Sequence, residues 1–127
     1  MTKLIVRDVT RSTDELSALV AEIVGELAVV SHAGTQVVEI TVAGISKGAA
    51  LAELAGELGV EPQQAVAFGD YPNDLPMLAW AGRSVAPRNG HPAVLAEVDD
   101  VTESNDDDGV ALAIERLLGS VRGQAEA

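Results

Sequence analysis

Asp70, Asn73 and Asp74 crowd a single turn, Gly69-Asp70-Tyr71-Pro72-Asn73-Asp74. The turn separates an apolar run of strand length, Ala65 to Phe68, from a helical apolar pattern through Leu75 and Leu78. In an open α/β sheet, a loop leaving the carboxyl end of a strand is where ligands bind. Two carboxylates on such a loop can share a hard cation such as Mg²⁺ through oxygen ligands. The same spacing suits an ordinary strand-to-helix connection, with Asn73 or Asp74 as helix N-cap and Asp70 in water. Spacing alone leaves both readings open.

Lys47 is the second candidate. Ser46 reads as an N-cap, and Leu51, Leu54, Ala55 and Leu58 form the stripe of a helix that Gly59 closes. A lysine in the first turn faces the positive end of the helix dipole, a mildly unfavourable placement. Either its long stem carries the ammonium out to water, or dipole and ammonium together make an anion site suited to a phosphoryl group.

As a set, these residues resemble the haloacid dehalogenase superfamily. Gly69-Asp70-Tyr71-Pro72-Asn73-Asp74 looks like its fourth motif, GDxxND. The resemblance runs upstream through Gly44-Ile45-Ser46-Lys47-Gly48 and downstream through Ala81-Gly82, Arg88-Asn89-Gly90 and Ser104-Asn105-Asp106 to Gly109-Val110-Ala111. Order and spacing are similar to the C-terminal part of the Cof-type (subfamily IIB-like) branch, Mg²⁺-dependent phosphatases of small phosphorylated metabolites. The resemblance implies that Asp70 and Asp74 bind Mg²⁺ and that Lys47 holds phosphate and nucleophile together. It implies that Asn73 positions the loop or contacts phosphate, and that Asn89 lies near the phosphate, although Arg88 and Gly90 depart from the family's small-residue pattern. The first motif, DxDG followed by Thr or Val, which carries the nucleophile and general acid, is absent from the 127 residues.

The elements that must position these groups follow from periodicity. Residues 1–44 read as a β-α-β-β segment resembling the end of a Cof-type cap. Lys3 to Val6 is a strand, and Ser12-Thr13-Asp14-Glu15 carries a capping-box signature. Leu16, Leu19, Val20, Ile23, Val24 and Leu27 line one helix face. Ala28 to Ser31 and Gln36 to Val42 are strands about a turn at residues 32–35. Residues 45–119 alternate helix and strand, which argues for an α/β fold with a partial Rossmann-like parallel sheet and flanking helices. Residues 120–127 read as a disordered polar tail. By resemblance, the strand at 65–68 pairs with Ser84 to Ala86. The family places the nucleophile's strand on its other side, so an open apolar edge is expected there. That edge implies pairing by the chain's own N-terminal strands, a homodimer, a complementing chain, or a fragment of a longer polypeptide.

Leu4-Ile5-Val6-Arg7-Asp8 imitates a first motif, making Asp8 an alternative nucleophile. Asp8 lacks the second aspartate two residues on, and Thr10 in that place cannot act as general acid. His32 and His91 have no imidazole or carboxylate at ligand spacing and read as structural or solvated. Ser104-x-Asp106-x-Asp108-Gly109-x₅-Glu115 matches an EF-hand loop except at its first position. A strand precedes it where an EF-hand needs a helix, so it reads as an acidic helix start.

Composition narrows the partners. A formal charge of −12, from 8 Lys+Arg against 20 Asp+Glu, disfavours nucleic acid and anionic membranes. Zero cysteines exclude disulfides and thiolate chemistry. No signal-peptide pattern or membrane-length apolar run occurs, which gives a cytoplasmic expectation. The chemistry implied is a metal-assisted phosphatase, truncated and weak or inactive alone. The competing expectation is a non-catalytic Mg²⁺ and phosphate-binding or partner subunit.

Overall fold

A computed structural model describes residues 3–32 and 34–125. Two three-stranded sheets form, each from its own stretch of chain. In the first, β1 (Leu4–Arg7), β2 (Ala28–Ser31) and β3 (Val37–Val42) run antiparallel in the order β1-β3-β2. The second is parallel, with β4 (Val66–Phe68), β5 (Arg83–Pro87) and β6 (Asp100–Thr102) in sequential order. Sequential parallel pairing needs a crossover after each strand. Here α3 (Leu75–Trp80) and α4 (Pro92–Leu95) supply it. The α/β fold with a parallel sheet flanked by helices is thus observed.

Helix α1 (Thr13–Val24) starts as its sequence requires. The Ser12 hydroxyl accepts from Glu15 N–H at 3.2 Å, and the Glu15 carboxylate accepts from Ser12 N–H at 2.9 Å. Its inner face buries Leu16 and Val20 against Val38 of β3. Val38 is fully buried, and burying such a side chain stabilises by about 1.5–3 kcal/mol. The second core gathers Ala67, Leu78, Ala86 and Val94, with Leu75 and Met77 packed against it.

Helix α2 (Lys47–Leu58) is capped by Ser46, whose hydroxyl accepts from Ala49 N–H at 3.0 Å. It ends at Gly59, where φ is +67° and the N–H satisfies the carbonyls of Ala55 and Gly56. Leu54 and Leu58 remain exposed on its outer face.

The outer edge of β4 has no partner among the described residues. The N-terminal strands do not cover it, because they pair only with one another. At the other end, α5 (Gly109–Ala125) continues well into the segment expected as a tail. Gly119 and Gly123 lie within it, since a helical glycine costs about 1 kcal/mol but does not force a stop.

Candidate active site

At the carboxyl end of β4 the chain turns through Gly69. A Cβ there would lie 2.6 Å from the Cβ of Asp74, so the loop folds back this closely only over glycine. Asp74 occupies the space. Its Oδ2 accepts from the N–H of Asp70 at 3.0 Å and of Tyr71 at 3.3 Å, while its Oδ1 accepts from Lys47 Nζ. The side chain is buried. Burial pushes its carboxyl pKa up, but the Lys47 ammonium and the two N–H groups outweigh burial and hold it below the usual carboxylate range.

Lys47 reaches Asp74 because α2 begins against the following segment. Gly48 permits this, since a Cβ on it would lie 2.4 Å from the Pro76 carbonyl oxygen. The start of α2 and the first turn of α3, which follows the Asp70 loop, are therefore in close backbone approach.

Asp70 is exposed, and its carboxylate takes no hydrogen bond among the described residues. Its carbonyl accepts from His91 N–H at 2.8 Å, which draws in the loop after β5. Asn73 lines a cleft of about 430 Å³ with Lys47 and Pro72, and Ser31, Glu39 and Thr41 of the first sheet form the facing wall. The Asn73 amide oxygen is buried without a hydrogen-bond partner. A buried acceptor left unpaired is costly.

The donor set suits Mg²⁺, which binds through one or two carboxylates and keeps several waters. Asp70 offers a free carboxylate. Both oxygens of Asp74 are engaged with Lys47 and the loop backbone, which suits it to fixing Asp70's position.

Asn89 is placed differently. Its side-chain oxygen accepts from Asn105 N–H at 3.1 Å, and its amide donates to Asn105 Oδ1. The exposed amide is spent on this reciprocal clasp between the loops after β5 and β6. Sequence reading assigned no such role to Asn105.

Asp8 stands apart from the set. It follows β1 in the first sheet, and its carboxylate accepts from Thr10 N–H at 2.7 Å and Thr10 Oγ1 at 2.6 Å, and pairs with Arg11. Those bonds, the Thr10 hydroxyl foremost, lower its pKa to about 2. None of them reaches Lys47, Asp70 or Asp74, and β1 does not flank β4. The alternative of Asp8 as nucleophile has no support in this arrangement.

The EF-hand-like stretch is a helix start. Ser104 accepts from Asp106 N–H at 3.3 Å, and strand β6 precedes it. Two groups beside the Asp70 loop were not read as site residues. The Tyr71 ring lies 6.1 Å from each of the rings of His32 and His91, which come from distant segments. No spacing in the sequence signals that meeting.

Comparison with known proteins places this geometry. A profile of the haloacid dehalogenase-like hydrolases matches residues 1–114. The chain is 42% identical over 88 residues to a 5-amino-6-(5-phospho-D-ribitylamino)uracil phosphatase, YwtE, of Bacillus subtilis, covering 69% of this chain and 31% of that protein. A haloacid dehalogenase-like hydrolase of B. subtilis superposes with a TM-score of 0.81 at 27% identity, over 91% of this chain and 40% of the other. A subclass IIB sugar phosphatase shares the fold, with a TM-score of 0.77 at 22% identity over 91% of this chain and 43% of its own. The chain thus spans about a third of the curated phosphatase it resembles. Both the profile and the loop built on Asp70 and Asp74 lead to one assignment: the chain belongs to the haloacid dehalogenase-like hydrolase family.

Proposed function

We propose that Lys47, Asp70, Asn73 and Asp74 form one half of a Mg²⁺-dependent phosphatase site for small phosphorylated metabolites. The observation that carries this reading is the Lys47–Asp74 pair beside the free Asp70 carboxylate, at the carboxyl end of a parallel strand. Lys47 neutralises charge developing on the transferred phosphoryl group. Asp70 holds Mg²⁺, with Asp74 fixing the loop that presents it. Mg²⁺, when bound, supplies Lewis-acid stabilisation of phosphoryl oxygens. Asn73 contacts the phosphate or keeps the loop in place, and Asn89 acts through its clasp with Asn105. The location that fits such substrates is the cytoplasm.

Attack on phosphorus by the family's route needs an aspartate nucleophile. A complementing chain that carries the first motif, docked at the open edge of β4, is the source we propose. Alone, the half-site binds metal and phosphate and turns over weakly or not at all.

Mg²⁺-dependent hydrolysis of an aryl phosphate tests this, with the chain alone and mixed with a polypeptide carrying the first motif. Activity should appear in the mixture, vanish with Asp70→Asn, fall by roughly 10²–10³ with Lys47→Ala, and survive Asp8→Asn. Activity of the isolated chain that is lost with Asp8→Asn would overturn the assignment. Mg²⁺-dependent phosphate binding with no turnover in either case would favour a non-catalytic binding module.

A further inference from the structure

Asp14 in the first turn of α1, His32 after β2 and His91 before α4 bring three donor atoms together at the seam between the N-terminal segment and the parallel sheet. Asp14 Oδ1 lies 3.4 Å from His32 Nε2 and 3.5 Å from His91 Nε2. All three atoms fall within 4.8 Å of one another. A tetrahedral Zn²⁺ with nitrogen and oxygen ligands at roughly 2.0–2.2 Å has edges of roughly 3.3–3.6 Å. Two edges already have that length. The same distances are long for hydrogen bonds, which prefer roughly 2.7–3.2 Å.

A second observation points the same way. The side chain of His32 is only 6% exposed, and its Nδ1 has no hydrogen-bond partner. Its Nε2 faces Asp14 at more than ordinary bonding distance, so neither ring nitrogen is well satisfied. An ion would account for the Nε2 side of the ring, which faces Asp14; Nδ1 lies on the other side of the ring and takes no part in the site. Asp14 is 73% exposed, so the group opens to solvent on one side and leaves room for a water as a fourth ligand.

We propose that Asp14, His32 and His91 bind a divalent transition-metal ion of the Zn²⁺ class, clamping α1 and the β2–β3 turn onto the loop before α4. Two imidazoles and one carboxylate select such an ion over Mg²⁺, which takes oxygen ligands. This site is separate from the one built on Asp70 and does not depend on the phosphatase reading. His91 Nδ1 accepts from Ala93 N–H at 3.2 Å. Ligation through Nε2 moves the ring proton to Nδ1, so that cap bond gives way to the metal. The clamp would act on the neighbouring loop, because Asn73 N–H donates to the His32 carbonyl at 3.4 Å and His91 N–H donates to the Asp70 carbonyl at 2.8 Å.

The test is a Zn²⁺ titration of the chelator-stripped full chain against a chromophoric competitor, in excess Mg²⁺. Thermal melts and the visible spectrum of the Co²⁺-loaded chain serve as further readouts. One Zn²⁺ per chain is expected, with affinity reduced about tenfold or more in both Asp14→Asn and His91→Gln. Zn²⁺ should raise the melting temperature of the parent and not of His91→Gln, and Co²⁺ should give the spectrum of nitrogen and oxygen ligation. Both substitutions fall outside the deeply buried His32, so they test the site without emptying the core. Absence of saturable binding, or affinity unchanged in both variants, overturns the proposal. Competition by Mg²⁺ together with loss in Asp70→Asn also overturns it, because the ion would then sit at the Asp70 loop.

Discussion

Lys47 Nζ donates to Asp74 Oδ1 across 27 positions of chain, joining a half-exposed ammonium to a buried carboxylate. Through this pair the first turn of α2 and the Asp70 loop are held as one body. Removing the charge at Asp74 should leave Lys47 without its partner and two loop N–H groups without a full acceptor. Asp74→Asn is expected to destabilise by about 1.5–3 kcal/mol at neutral pH, read as a shift in urea midpoint at unchanged slope.

The same pair sets an acid limit. A carboxyl held low in the folded chain contributes stability that is fully present above its unfolded pKa of about 3.9. That stability is lost as pH falls through the folded value. Asp74, held below its usual range, behaves this way. So do Asp8 and Glu103, and those two are lowered to about 2 by their hydrogen bonds. Urea midpoints should therefore hold steady above about pH 5 and fall progressively toward about pH 2. The fall should be shallower in Asp74→Asn. An equally steep profile in that variant would show that Asp74 does not contribute to it.

Gly48→Ala places a methyl group 2.4 Å from the Pro76 carbonyl oxygen and 2.9 Å from Met77 N. Backbone cannot yield as a side-chain tip can, so α2 must shift and take Lys47 with it. A loss of about 1–3 kcal/mol is expected. Mg²⁺-dependent phosphate binding should weaken alongside it. Gly56→Ala is the control, because a Cβ there meets nothing within 4 Å.

The Asn89–Asn105 clasp gives a coupling that a double-mutant cycle can read. If Asn89 serves to hold the two loops, Asn89→Ala and Asn105→Ala should be non-additive in stability by about 0.5–1.5 kcal/mol. Phosphate binding lost in Asn89→Ala alone, with additive stabilities, would instead put the Asn89 amide on the phosphate.

The bare edge of β4 and the exposed leucines of α2 should make the chain associate. Sedimentation should show mass rising with concentration, reduced in Leu54→Glu and Leu58→Glu, whose side chains are exposed. A monomer at all concentrations would show that neither the β4 edge nor the α2 leucines drive self-association.

Much of this was legible because its determinants are local. The Ser12–Glu15 capping box, the Ser46 cap, the Gly59 stop and the β2–β3 hairpin each depend on residues a few positions apart. The Asp70 loop announced itself through glycine, proline and acid in fixed order. Other features depended on tertiary placement, which spacing does not encode. His32 and His91 found Asp14 only because the N-terminal segment packs beside the loop before α4. Asn89 found Asn105 because parallel strands end at the same level. Helix α5 runs on past Gly119 because local propensity penalises glycine without forbidding it. Asp8 imitates a motif whose neighbours it lacks, and the fold sends it to the other sheet.

Every strand of the first sheet lies within residues 4–42, and every strand of the second within 66–102. Among the described residues no pairing interleaves the two. A ribosome releasing this chain from its N-terminus would free all the first sheet's partners before the first strand of the second. The order of synthesis therefore allows the first sheet to pair before the second is complete. The Lys47–Asp74 pair, which joins α2 to a loop of the later sheet, closes only once that second stretch has emerged.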